Sequence, residues 1–166
     1  MILLNNLRNS YEQQIIFKVI KTANFNVLKK NEVPGAVSID LKPSNFKQLK
    51  FEYKALAPNY KLIQSLKKKI INEEKFISQY ELQLNELNSK NVYDHLRCLT
   101  GEFEPVLMCH GPSTKFCYRH LVADWFEENL NLKIQEFNKP NFKRKKGYLV
   151  KINEPSLFNQ DENKIG

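Results

Sequence analysis

The stretch from residue 106 to residue 125 constrains the fold of this chain more than any other part of its sequence. An apolar run ends at Cys109-His110, breaks at Gly111-Pro112, and restarts as a helical pattern. A buried strand, a short turn and a helix N-terminus form the repeating unit of α/β proteins, and functional side chains collect where such a strand ends. We therefore predict a strand-to-helix junction here, with a site beside it. Cys109 and Cys117 should lie close together at the carboxyl edge of the sheet, with Arg119 or the helix N-terminus facing a cavity.

The rest of the pattern extends this unit into a sheet. Runs rich in β-branched residues predict strands, with a loop at 22–26 after the first of them. Asparagine caps and apolar stripes predict four helices, and Gly101 ends the third. The predicted strands are 15–20, 36–40, 105–109 and 132–137, and the predicted helices are 59–69, 72–84, 91–100 and 114–130, with an irregular connection over 41–60. This order predicts one α/β domain with a small, open, mostly parallel sheet covered by helices in three layers.

The domain limits follow from the same pattern. We expect an N-terminal segment over 1–14, an α/β domain over 15–137, and a basic, partly flexible tail over 138–166 in which residues 148–150 are a candidate edge strand. The chain has 166 residues, enough for a single core.

Composition narrows the setting in which the protein works. Three cysteines without a dense framework indicate thiols in a reducing compartment, and no apolar run resembles a signal peptide or a membrane span. We therefore expect a cytoplasmic protein without a membrane partner. The net charge of +8 favours a polyanion such as nucleic acid, although a Lys-rich surface that is merely solvated explains it as well. A protein partner stays open, and the sequence does not indicate an oligomeric state.

One basic segment combines charge with aromatic side chains that could stack on bases. The lysines are Lys47, Lys50, Lys54, Lys67, Lys68 and Lys69, and the aromatic residues are Phe46, Phe51, Tyr53 and Tyr60. This segment predicts salt-sensitive binding of nucleic acid without sequence preference.

The junction itself supports three interpretations. In the first, Cys117 or Cys109 is a nucleophile, because a helix N-terminus and Arg119 both favour a thiolate and a neighbouring His110 or His120 supplies a base. In the second, the two cysteines and two histidines bind zinc. In the third, the cysteines are packed structural residues, and Arg119 and His120 cap the helix or pair with Asp124.

We predict no metal and no cofactor at this junction. The spacing C-H-x6-C-x2-H lacks the C-x2-C element of common zinc sites, and adjacent Cys109 and His110 do not easily reach one tetrahedral ion. Thr22 and Asn24 follow the first predicted strand, which places them at the same edge of the sheet. With Arg119 and His120 they form the predicted ligand-binding set, suited to a phosphate group.

The block Phe116-Cys117-Tyr118-Arg119-His120-Leu121-Val122-Ala123-Asp124-Trp125 resembles the Phe-Cys-His-Arg-His-Leu-Val-Ala-Glu/Asp-Trp block of the family known as domain of unknown function 488. Leu56-Ala57-Pro58, the helical Tyr80, the strand 106–109, and Thr22 with Phe25 are similar to further parts of that family. The resemblance covers residues 22–137 and implies a small cytoplasmic bacterial or phage-borne α/β protein.

Two departures from the family pattern affect the expected chemistry. The family follows its first cysteine with an aromatic residue and Glu, where this chain has His110 and Gly111, and it has His where this chain has Tyr118. These positions carry the family's acid/base candidates. Two functions are therefore open. The first is a protein that binds or acts on a phosphate-bearing ligand such as a nucleotide or nucleic acid, and its catalytic candidates are Cys117, Cys109 and His110. The second is a catalytically silent interaction or inhibitor protein of phage origin.

Overall fold

The computed structural model describes residues 19–42, 45–112 and 114–152. The predicted N-terminal segment, the first four residues of the predicted strand 15–20, and the last part of the predicted tail lie outside the described residues. The predicted domain limits therefore stay a prediction.

A five-stranded, wholly parallel sheet forms the centre of the molecule, in the order β3-β2-β4-β1-β5. Its strands are β1 Lys21–Asn24, β2 Ala36–Ser38, β3 Phe51–Glu52, β4 Val106–Cys109 and β5 Gln135–Glu136. β4 is central and all four of its residues are buried, as expected for a strand covered on both faces. The prediction of a single α/β domain with a mostly parallel sheet is confirmed.

Four α-helices follow the chain in the predicted order. They are α1 Tyr60–Lys67, α2 Glu73–Asn85, α3 Ser89–Thr100 and α4 Tyr118–Leu130. The side-chain oxygens of Asn59, Asn72 and Asn88 accept hydrogen bonds from backbone N–H groups in the first turns of the first three helices. These caps satisfy donors that a helix leaves unpaired at its N-terminus, and they fix where each helix begins.

The two faces of the sheet bury different side chains because successive residues of a strand point to opposite sides. On β4, Leu107 and Cys109 join the larger core cluster with the helices, whereas Val106 and Met108 join a smaller cluster on the other face. That second face is covered by the 3₁₀ helix Phe25–Lys29 and by Phe46 and Leu49. Cys109 therefore faces the helical layer.

A basic hairpin follows the sheet. Strands β6 Phe142–Lys145 and β7 Tyr148–Lys151 pair antiparallel as a separate two-stranded sheet, with Gly147 at the left-handed φ of 81° in the turn. The suggestion that residues 148–150 add an edge strand to the main sheet is wrong, since β7 pairs with β6.

Several predicted boundaries were also wrong. The first strand was expected at 15–20 with a loop at 22–26, but Val19 and Ile20 precede a strand that begins at Lys21. Because β1 has polar residues at both ends, its strand propensity is low and the sequence does not predict it. Pairing with β4 and β5 on its two sides stabilises it in the fold. β3 lies inside the predicted irregular connection, and α4 begins at Tyr118 rather than near 114.

Candidate functional site

The site lies at the carboxyl edge of the sheet, where β1 and β4 end together. Asn24 pairs with Cys109 in the register of these two strands, so the loops that leave them start side by side. Cys117 is the N-cap residue of α4, with an extended backbone, and its N–H donates to the carbonyl of Gly147 in the basic hairpin at 2.9 Å. Sheet, helix and hairpin thus meet at one cysteine.

The two cysteine sulfurs are in direct contact. Cys109 Sγ lies 2.8 Å from Cys117 Sγ, and both thiols are unbonded to each other and buried, with 0% and 3% of the residue exposed. Their predicted proximity at this edge of the sheet is confirmed.

A glycine allows this approach. A Cβ atom added to Gly111 would lie 2.8 Å from the Cβ of Cys117 and closer still to its sulfur. No side chain fits there, so Gly111 is the residue that lets the turn after β4 pass over the thiol pair. Asn24 Nδ2 donates to the carbonyl of Gly111 at 2.7 Å and fixes this turn to β1.

Arg119 is the central cation of the site and is fully buried. Its Nη1 donates to the Gly111 carbonyl at 2.5 Å and to Cys109 Sγ at 3.5 Å. Its Nη2 lies 2.9 Å from Glu136 Oε1, and its Nε lies within 3.3 Å of both carboxylate oxygens of that residue. Of the two groups predicted to face a cavity, Arg119 and the N-terminus of α4, Arg119 does not, because every nitrogen of its guanidinium is bound within the protein.

Glu136 connects β5 to β1 and to the helix. Besides Arg119, its carboxylate accepts a hydrogen bond from Thr22 Oγ1 at 2.7 Å. Thr22 Oγ1 in turn accepts from Arg144 Nη2 at 2.7 Å, and Arg144 Nη1 also contacts the carbonyl of Ile134 and, at 3.6 Å, Glu127. A buried chain of polar groups therefore runs from the thiols to the hairpin.

These surroundings separate the two thiols in acidity. Burial raises the pKa of Cys117, but the hydrogen bond from Cys109 and the charge of Arg119 outweigh it and lower the pKa from 9.0 to about 7. Burial and the neighbouring Cys117 raise the pKa of Cys109 well above its usual value, and Arg119 opposes this only partly. Cys117 therefore ionises before Cys109, and when it does, Cys109 is the thiol that donates to it.

His110 and Asp40 form a second polar pair on the same edge. His110 Nδ1 lies 2.9 Å from Asp40 Oδ2, and the His110 ring packs edge-on against Phe25. Burial alone raises the pKa of Asp40, but its hydrogen bonds with His110 and the backbone of Lys42 lower it overall. The ionised Asp40 orients an imidazole that is largely exposed, an arrangement suited to proton transfer.

His120 behaves differently from His110. It is fully buried, and neither ring nitrogen has a hydrogen-bond partner among the described residues. Burial, together with the charges of Arg119 and Arg144, lowers the pKa of His120 to about 2. Glu136 Oε2 lies 3.9 Å away, too far for a hydrogen bond, and that carboxylate is already paired with Arg119. His120 is therefore neutral.

An open cleft of about 390 Å³ adjoins the carboxyl ends of β1 and β5. Its walls include Asn24, Lys30, Asn31, Pro112 and Lys139. Two lysines and several amides make this wall suited to an anion. Neither cysteine lines the cleft, but Asn24 connects it to the Gly111 turn that covers them.

A sequence profile decides the family. The profile described as the Active DUF488-N3 subclade matches residues 22–130. This chain belongs to the DUF488 family. No curated protein and no solved structure gave a significant match.

The buried network of this DUF488 protein extends past the matched segment. Glu136, which holds Arg119, and Arg144, which holds Thr22, both follow residue 130. Sequence reasoning missed both of them and Asp40 as well. Asp40 and Glu136 each lie at or beside the end of a predicted strand, and that position was a signal in the sequence. Nothing in the lysine-rich run 143–146 distinguishes Arg144 from its neighbours.

The family position that Tyr118 occupies is packed rather than polar here. The Tyr118 ring meets Tyr80 edge-on at 6.1 Å, and its hydroxyl has no hydrogen-bond partner among the described residues. Burial and the neighbouring Cys109 raise the pKa of Tyr118 far above its usual value, so it does not exchange protons at neutral pH. Tyr80 in turn donates to the Leu56 carbonyl at 2.5 Å.

The structure thus brings together Thr22, Asn24, Cys109, Cys117 and Arg119, and their predicted roles toward a ligand stay predictions. Across the described ranges, no three His, Cys, Asp or Glu side chains gather in a way that could hold a metal ion. Within those same ranges, no helix has the length and apolar character needed to cross a bilayer.

Of the aromatic residues predicted to stack on bases, Tyr60 is exposed. Phe46 packs against the smaller core cluster, and Phe51 and Tyr53 pack against the larger one. These three rings are only partly buried, and salt-sensitive binding of nucleic acid stays a prediction.

Proposed function

We propose that this protein is a cytoplasmic enzyme in which the Cys117 thiolate attacks an electrophilic group of a phosphate-bearing ligand, a nucleotide or nucleic acid. One observation carries the proposal: Cys117 Sγ lies 2.8 Å from Cys109 Sγ, and Arg119 Nη1 lies beside that pair at 3.5 Å from Cys109 Sγ. A hydrogen-bond donor in contact with the Cys117 sulfur and a fixed cation beside the sulfur pair both favour a thiolate at Cys117. The matching subclade is described as active, in agreement with this proposal.

Each group at the site has a proposed role. Cys117 is the nucleophile, and Cys109 donates a hydrogen bond that stabilises its thiolate. Arg119 stabilises the same charge and is a positioning residue, since its guanidinium is bound to Glu136 and Gly111. His110, oriented by Asp40, transfers a proton to or from the ligand and takes the place of one of the two acid/base groups that this chain lacks.

The proposed ligand occupies the cleft between Asn24, Lys30 and Lys139. Lysine ammonium groups pair with phosphate as point charges. The net charge of +8 favours the approach of a polyanion over longer range.

A second candidate function is a catalytically silent interaction or inhibitor protein, including one of phage origin. The low exposure of Cys117, 3%, favours it, because a packed thiol stabilises the junction without reacting. In that case the basic cleft binds a partner, and the thiols are structural.

Labelling by iodoacetamide at neutral pH distinguishes the two functions. We expect Cys117 to be modified faster than exposed Cys98, as read from peptide masses over time. Nucleoside triphosphates and short single-stranded oligonucleotides, tested separately, should slow labelling of Cys117. The change K30Q should weaken that protection, whereas K61Q, on another surface, should leave it unchanged.

Labelling of Cys117 only after unfolding in urea would contradict the enzyme and support the silent protein. Fast labelling without protection by either nucleotides or oligonucleotides would contradict the phosphate ligand while leaving the reactive thiolate. A salt-dependent mobility shift of single-stranded oligonucleotides, without protection by nucleotides, would favour nucleic acid as the ligand.

A further inference from the structure

We propose that Cys109 and Cys117 are a redox-active pair that a small peroxide converts reversibly to an intramolecular disulfide. This inference does not rest on the proposed function, because it concerns the two sulfurs alone and needs no phosphate-bearing ligand. It gives the site a second chemistry, with hydrogen peroxide or a small organic hydroperoxide as the oxidant.

Geometry carries the proposal. The sulfurs lie 2.8 Å apart, and a disulfide bond is about 2.05 Å long, so only a small movement joins them. Cys109 is fixed at the end of the central strand, whereas Cys117 precedes the first turn of α4 with an extended backbone at φ −152°. Gly111 places no side chain against the pair.

The reaction balances in two steps. The Cys117 thiolate attacks one peroxide oxygen, an S–O bond forms, the O–O bond breaks, and hydroxide leaves and takes a proton to become water. Cys109 then attacks the Cys117 sulfenic sulfur, the S–S bond forms, the S–O bond breaks, and a second water leaves with the Cys109 proton. Two thiols lose two electrons in total, and the peroxide accepts them.

The environment assigns the order of these steps. Cys117 retains 3% exposure and Cys109 has none, so a molecule the size of peroxide reaches Cys117 first. Cys109 is already in contact with the sulfur that becomes oxidised, and it acts as the resolving thiol. The same burial makes reaction with a bulky oxidant such as glutathione disulfide slower than reaction with peroxide.

Oxidation would change the charge balance of the buried network. It removes the thiolate near Arg119 and leaves Glu136 as the anion that compensates the guanidinium. It also ties the end of β4 to the start of α4 across a short loop, which restrains the unfolded chain. The oxidised protein should therefore melt at a higher temperature than the reduced protein.

Cys98 provides an internal control. It is exposed on α3, outside the Cys109–Cys117 contact. Glutathione disulfide should form a mixed disulfide at Cys98 and leave the buried pair reduced. Peroxide should act in the opposite way, producing an internal disulfide at the pair.

The experiment uses the full chain carrying C98S, treated with hydrogen peroxide and measured by intact mass and by peptide mapping without reduction. We expect a protein lighter by two hydrogen atoms, a cross-linked peptide containing Cys109 and Cys117, and recovery of the reduced mass with dithiothreitol. In C109S, checked for folding by circular dichroism, Cys117 should instead accumulate as a sulfenic acid that dimedone traps.

Two results would overturn the proposal, and the first needs no variant of the pair. One is that the C98S protein gains oxygen, but never loses two hydrogen atoms, when treated with peroxide at concentrations that oxidise Cys98 in the wild-type protein. The other is a cross-link that joins Cys117 to a second molecule rather than to Cys109. Either result is independent of ligand protection, so it would leave the proposed enzyme activity to its own test.

Discussion

Arg119 and Glu136 form a buried ion pair that joins the first turn of α4 to β5. Arg119 Nη2 lies 2.9 Å from Glu136 Oε1, and the two side chains are 0% and 3% exposed. Thr22 adds a further hydrogen bond to the carboxylate. The Glu136 carboxylate and the Cys117 thiolate both compensate the Arg119 charge, so stability and thiol chemistry depend on the same guanidinium.

Replacing Glu136 by Gln should destabilise the fold strongly. The variant E136Q leaves the Arg119 charge buried without its counter-ion, and loss of one partner of a buried pair costs about 3–5 kcal/mol in the free energy of unfolding. Urea denaturation measures this change. The exposed Glu128 on α4 supplies the control, since E128Q should shift stability by less than about 0.5 kcal/mol. Equal effects at both positions would contradict the pairing.

Adding a methyl group at Gly111 should disturb the thiol pair. In G111A the new Cβ would overlap Cys117, which forces the turn away and costs about 1–3 kcal/mol. G35A is a matched control, because its Cβ would lie 2.8 Å from the Glu104 carbonyl carbon, away from the thiols. Both variants should melt at lower temperature, but only G111A should change the rate at which iodoacetamide labels Cys117. An unchanged rate in G111A would refute the close approach.

The labelling rate of Cys117 should follow its own titration. Since the thiolate is the reactive form and the pKa of Cys117 is about 7, the rate should rise to a plateau through neutral pH. In urea the same cysteine should titrate like a free thiol, with a pKa of about 8.5. Because the folded pKa is the lower one, this group adds stability as pH rises from about 7 to 9, and the contribution disappears as pH falls through 7. Identical folded and unfolded profiles would contradict the assignment.

His120 should make the protein sensitive to acid. Its pKa falls from 6.5 to about 2 on folding, so below pH 6.5 the unfolded chain binds a proton that the folded protein excludes. The stability associated with His120 is complete above pH 6.5 and decreases by up to about 1.4 kcal/mol for each pH unit below it. H120L should flatten the dependence of unfolding free energy on pH between 7 and 5.

Two comparisons isolate this effect. H95L removes an exposed histidine on α3 and is the control for the loss of a histidine outside the buried network. Burial raises the pKa of Asp124 to about 6, so Asp124 makes the folded protein more stable at lower pH, opposite to His120. This contribution of Asp124 is the same in wild type and H120L, so it cancels when their unfolding free energies are subtracted. A parallel pH dependence in wild type and H120L would show that His120 is not held neutral.

Local signals in the sequence determined much of the fold. The run 106–109 is apolar throughout, as a central parallel strand requires, and the Gly111-Pro112 break with the block that follows predicted the junction. Asn59 and Asn72 marked helix starts because an asparagine side chain satisfies backbone donors over only two or three residues. The proximity of Cys109 and Cys117 followed from the same short stretch, and so did the DUF488 resemblance.

Tertiary structure decided what depends on distant partners. β1 was misplaced because its polar ends contradict strand propensity, and only pairing with two neighbours stabilises it. Arg119 was expected to face a ligand, but Glu136, which the chain brings back beside β1, turns it inward. Asp40 became the partner of His110 across seventy residues of sequence. The sequence by itself determined which residues surround the thiols, whereas their charge states came from burial and from ion pairs between residues far apart in the chain.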